Sequence, residues 1–175
     1  MEEIRIPLSR NKLYLLLAGS LLFLGIGIWF VTNPPGTNHV IRDPTIILII
    51  GLIAILLSGV AAIVILGKLS GDKPGLVINS EGILDNSSGV SAGFISWKDI
   101  TEIRTVNVIR EKFLLIVVKN PEEYIHQQKG LVKRKAMDMN HRIYGSPISI
   151  TVNTLAVNFD ALHDLVQNAF LQKSV

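Results

Sequence analysis

Two apolar runs without a charged residue, 13–32 and 46–67, constrain what this chain of 175 residues can fold into more than any other feature. A bilayer's hydrocarbon core is about 30 Å thick and takes about 20 residues of helix, which each run supplies. The sequence therefore predicts a membrane helical hairpin (13–67), with spans 13–32 and 46–67 and an external loop 33–45 carrying Pro34, Pro35, Gly36 and Pro44 as helix breakers. The first run is full-length and ends in Trp29 and Phe30 with no small-residue cleavage site, so it reads as a retained helix and not as a signal peptide. Arg5, Arg10 and Lys12 precede the first span and Lys68 and Lys73 follow the second, whereas the loop holds only Arg42. This asymmetry predicts both termini at the cytoplasmic face.

Within the second run Ala54, Ser58 and Ala62 recur at every fourth residue, a small-residue stripe that lets a helix approach closely. The simplest partner is the first span, and a homo-oligomer contact is the alternative. With no ionisable group at membrane depth, the hairpin reads as an anchor and not as a transport path.

Outside the hairpin the expected organisation is a cytoplasmic N-terminal segment 1–12, a linker 68–74 and one cytoplasmic domain 75–175, near the usual size for a single core. Short β-rich runs separated by turn residues predict strands over 75–79, 82–85, 94–97 and 100–108, with a turn at 86–89. After a polar hairpin tip at Arg110, Glu111 and Lys112, the run 113–119 is the strongest strand and reads as central. Pro121, Glu122 and Glu123 suit a helix start, so 121–144 is expected to be a helical insertion interrupted at Gly130. Alternation at Ile148, Ile150 and Val152 predicts a further strand. Asp160 is placed to cap a final amphipathic helix through Leu162, Leu165, Val166, Ala169 and Phe170.

The strongest charge cluster is Lys129, Lys133, Arg134, Lys135 and Arg142, opposed locally only by Asp138. Near a cytoplasmic leaflet such residues attract anionic lipid at about 1 kcal/mol each, so they form the expected contact for membrane lipids or an acidic partner. The bland alternative is a solvated helix face. The patch is small and has no interleaved stacking aromatics, which argues against nucleic acid. Cysteine is absent, and this removes thiolate metal sites and thiol nucleophiles. His39, His126, His141 and His163 lack a spacing that pairs two on one helical face, so neither a metal nor a cofactor is expected. Asp160, His163 and Asp164 share one helical turn and read as capping and surface groups. Trp97 reads as core, and Met137 and Met139 as gap fillers. No phosphate loop or nucleophile elbow is present, so no catalytic residue is assigned.

The short strand pair, the segment Phe94-Ile95-Ser96-Trp97-Lys98-Asp99-Ile100, the apolar hairpin and the terminal helix together resemble the pleckstrin-homology-like domains of small bacterial membrane proteins. Pro121-Glu122-Glu123-Tyr124-Ile125 and Tyr144-Gly145-Ser146-Pro147-Ile148 resemble a bacterial family with two transmembrane helices and such a C-terminal domain. The resemblance implies an α+β fold with an antiparallel curved sheet or partial barrel, an inserted helix and a C-terminal helix, placed at the bacterial inner membrane. It implies a scaffold for lipid or protein contacts. The functional expectation is a non-enzymatic interaction module; the alternatives are an immunity protein that neutralises an incoming toxin and, last, an enzyme of unknown class.

Overall fold

The computed structural model describes residues 2–33 and 43–173. The expected loop residues Pro34, Pro35, Gly36, His39 and Arg42 lie outside them. The described residues divide into two compact units, one of residues 10–72 and the other of 1–9 with 73–175.

The first unit is a helical hairpin of α1 (Arg10–Thr32) and α2 (Pro44–Leu69). Pro44, expected to break helix, instead starts it. It occupies the first turn, where its missing N–H is no loss, and the Asp43 side chain caps the helix by accepting from the Thr45 amide at 2.8 Å. Most of the buried positions are small, Ser20 and Gly27 on α1 and Gly51, Ser58 and Ala62 on α2, with Leu13 and Ile47 buried beside them. The helices pack tightly at the Gly27–Gly51 pair, where a Cβ added to Gly51 would lie 2.9 Å from Val31 Cγ2 and 3.0 Å from the Gly27 carbonyl oxygen. One antiparallel step of seven residues along each helix sets Ser20 level with Ser58. Both hydroxyls donate to carbonyls of their own helices, Leu17 and Ala54, so neither is stranded. Leu15, Leu22 and Phe23 on α1 and Leu56, Leu57 and Ile63 on α2 are all exposed. Helices that are apolar outside as well as at their seam are long enough and apolar enough to span a membrane.

The second unit is α+β. A four-stranded antiparallel sheet has the order β1 (Ile4–Ile6), β2 (Leu76–Ile78), β3 (Gly82–Asp85) and β4 (Gly93–Ser96). A three-stranded antiparallel sheet has the order β5 (Ile100–Val108), β6 (Glu111–Val118) and β7 (Ile148–Ile150). The insertion forms α3 (Pro121–His126) and α4 (Leu131–Tyr144), and α5 (Phe159–Lys173) follows β7. One curved sheet or partial barrel was the expectation. The structure instead has two sheets that do not close into a barrel, because a 3-10 turn at Trp97–Asp99 carries the chain out of the first ladder and into the second.

Alternation directs one face of each sheet into a shared core of Leu76, Ile78, Ile83, Ile95, Leu114, Ile116, Ile148 and Ile150, onto which α5 lays Leu162, Val166 and Ala169. Trp97 joins this core, and its indole N–H donates to the Asn79 carbonyl at 2.8 Å. The expected central strand is central, since β6 pairs with both β5 and β7. At the start of α5 the cap is Asn158, whose side chain accepts from the Ala161 amide at 2.8 Å. Asp160, the expected cap, lies inside the first turn and pairs with Lys112 at 3.0 Å.

The residues before α1, read from sequence as a separate segment 1–12, contribute an unexpected element. Ile4, Arg5 and Ile6 pair with Ile78, Val77 and Leu76, and Leu8 bridges to Leu155. The sheet therefore takes strands from both sides of the hairpin in sequence.

Candidate functional site

The insertion holds the charge cluster, and its local chemistry separates the cluster's members. Pro121 opens α3 with Glu122 and Glu123 in its first turn, as the helix dipole favours. Tyr124 and Ile125 turn inward and are buried. The Tyr124 hydroxyl donates to Asp99 at 2.8 Å, and burial together with this carboxylate pushes its pKa up to about 12. After α3 the buried Gln128 amide donates to the carbonyls of Ala92 and Tyr124 at 3.2 and 3.0 Å.

Arg134 is committed to the same corner. Its Nε donates to the Gln128 carbonyl at 2.8 Å and a terminal nitrogen to the His126 carbonyl at 2.9 Å, satisfying the oxygens that α3 leaves open. Arg142 pairs with Asp138 one turn earlier at 2.9 Å. Lys133 is half-buried on the flank of α4, while Lys129 and Lys135 are exposed. The five residues thus share one insertion but not one surface: Arg134 holds backbone, and Lys129, Lys135 and Arg142 face solvent.

α4 ends at Gly145, whose φ of 78° lies in the left-handed region and lets its amide bond the His141 carbonyl at 2.8 Å. Met137 seats the helix and is completely buried, and Asn140 donates to Ser149 Oγ at 3.2 Å. Between α4 and the second sheet lies a cavity of about 110 Å³ lined by Val106, Phe113, Leu115, Asn140 and Tyr144. Its size suits a few waters, and its lining is mostly apolar.

The remaining sequence candidates lie apart from one another. His126 sits 3.7 Å from Glu122 on the exposed side of α3, and His163 lies 3.2 Å from Asp164 on α5. On α2, Ser58 and Ala62 are buried while Ala54 is half-buried. What sequence reasoning missed is the outward face of α4, where Leu131, Val132, Met139 and Ile143 are exposed. The signal was legible in spacing: once Met137 is assigned inward, these four fall on the far side of the same helix.

No family model, curated protein or solved structure matches this chain.

Proposed function

We propose that this chain is a membrane-anchored, non-catalytic interaction module, which holds its α+β unit at the cytoplasmic face of a bacterial inner membrane and there binds a protein partner or the anionic leaflet. The observation that carries this reading is the pairing of Ile4–Ile6 with Leu76–Ile78. A strand from before α1 and a strand from after α2 belong to one sheet, so if the hairpin spans a membrane, both its ends emerge on the same side. The basic residues at those ends select the cytoplasm. The order of seven strands followed by a terminal helix supports the pleckstrin-homology-like reading in an opened form. The insertion supports a binding role through the basic residues it leaves exposed, Lys129, Lys135 and Arg142, while Arg134 and Gln128 are engaged with backbone carbonyls.

The chain has no cysteine, so single cysteines can report its topology. Cysteines replacing Glu2 and Lys173 are expected to react with an impermeant maleimide only after lysis, and one placed within 34–42 to react in intact cells. Labelling of either terminal site from outside would sink the assignment. Crosslinking in cells then identifies the partner, and capture of an incoming toxin would replace this reading with the immunity one.

A further inference from the structure

Helix α4 has two apolar sides, and only one of them is covered. Met137 marks the covered side. At 100° per residue, Leu131, Val132, Lys135, Met139, Arg142 and Ile143 fall within about 120° of one another on the opposite side. Leu131 is 74% exposed, Val132 83%, Met139 57% and Ile143 61%. These residues run the length of the helix, about 18 Å. The solvent side of a globular helix is ordinarily polar, so four exposed large apolar side chains on one side of α4 need an occupant.

The charges on this face say which. Lys135 and Arg142 lie among these side chains and Lys129 stands just before them; among the described residues neither Lys129 nor Lys135 forms an ion pair. Apolar side chains flanked by long basic ones, whose stems lie along the surface while their charges reach phosphate, are the chemistry of a helix lying in the headgroup layer. A second copy fits poorly, because a two-fold contact through this face would gather Lys129, Lys135 and Arg142 of both copies, six like charges, into one interface. The connectors to the spans are only residues 7–9 and 70–75, so the unit would remain at high effective concentration beside the bilayer.

We infer that this face of α4 docks onto the anionic leaflet of the protein's own membrane, with Leu131, Val132, Met139 and Ile143 entering the headgroup–acyl boundary and Lys129, Lys135 and Arg142 contacting lipid phosphate. The inference rests on the membrane-anchor reading above. It makes the α+β unit a peripheral domain with a set orientation instead of one swinging on a tether.

The test uses the full chain with Met139→Cys carrying an environment-sensitive fluorophore, reconstituted in vesicles of phosphatidylethanolamine with phosphatidylglycerol or of phosphatidylcholine alone. Quenching by spin-labelled lipid is expected to be roughly threefold or more stronger in the anionic vesicles, and to fall with added salt. Val132→Ser with Ile143→Ser, and separately Lys135→Glu, are expected to reduce it; near-ultraviolet circular dichroism checks that each variant is folded. An unquenched label on protein that resists alkaline carbonate extraction would overturn the docking while leaving the anchor intact. Extraction by carbonate would instead overturn the anchor reading. Crosslinking of Met139→Cys between two copies, with no lipid quenching, would overturn the docking in favour of a dimer.

Discussion

The Tyr124 hydroxyl and the Asp99 carboxylate lie 2.8 Å apart, joining the first helix of the insertion to the turn that passes the chain from one sheet to the other. Tyr124→Phe keeps the buried ring and removes the bond, so it should cost about 1–2 kcal/mol. The pH dependence has a definite sign. Burial first and Asp99 second raise the folded pKa from the ordinary 10.0 to about 12. Stability from the neutral phenol is therefore fully present below pH 10 and is lost as pH rises through 12. Alkaline unfolding profiles of wild type and Tyr124→Phe should differ in that window; superimposable profiles would show the bond to be without consequence.

The hairpin seam predicts a contrast between two glycines. Gly51→Leu forces a side chain against Val31 and the Gly27 carbonyl, whereas a Cβ added at Gly59 meets nothing within 4 Å. The first should destabilise helix association by about 1–3 kcal/mol and the second by little. Unfolding in micelles followed by helicity would reveal it, and equal effects would place the contact elsewhere.

At the tip between β5 and β6, Ile109 and Arg110 have φ of 44° and 68°. Left-handed backbone costs an ordinary L-residue about 1–2 kcal/mol, and a β-branched side chain is especially ill suited to it. Replacing the pair by Asn-Gly, the dipeptide that such hairpins favour, should stabilise the unit by about 1–2 kcal/mol. A melting temperature unchanged by the exchange would show that the turn is unstrained.

Neighbouring cations on α4 should behave differently. Arg134→Gln removes two charge-assisted bonds to the end of α3 and should cost about 1.5–3 kcal/mol, while Lys135→Gln should stay within about 0.5 kcal/mol. Hydrogen exchange over residues 127–131 reads the difference directly. Equal protection in both variants would mean that Arg134 does not hold the corner.

The parts legible in sequence were those governed by local rules. β3 and β5 begin and end where alternation and turn residues place them, and the insertion breaks before α4 because residues 127–130 carry no helical pattern onward. The interrupted helix became two helices, and the terminal helix lay where its apolar spacing put it. What escaped depended on distant partners. Ile4-Arg5-Ile6 is too short to announce a strand, and its partner lies beyond two long helices. Asp160 and Asn158 are both competent caps, and only the folded chain shows that Asn158 stands just before the first helical residue while Asp160 lies inside the first turn. Ser58 and Ala62 of the small-residue stripe are buried on α2, but the stripe does not announce Gly27 and Gly51, where an added Cβ would meet the other helix's backbone at 3.0 Å. Nor can a list of basic residues separate Arg134 from Lys135, since the carbonyls that claim Arg134 belong to another helix end.

The β1–β2 ladder also sets an order of events at the ribosome. Ile6 is made early, but its partner Leu76 is made only after all of α1 and α2. At about 5–20 residues per second the strand waits several seconds for its place, with both long apolar segments delivered in the meantime. Closing this sheet is thus a late, non-local event, and the α+β unit is completed only after the hairpin exists in full.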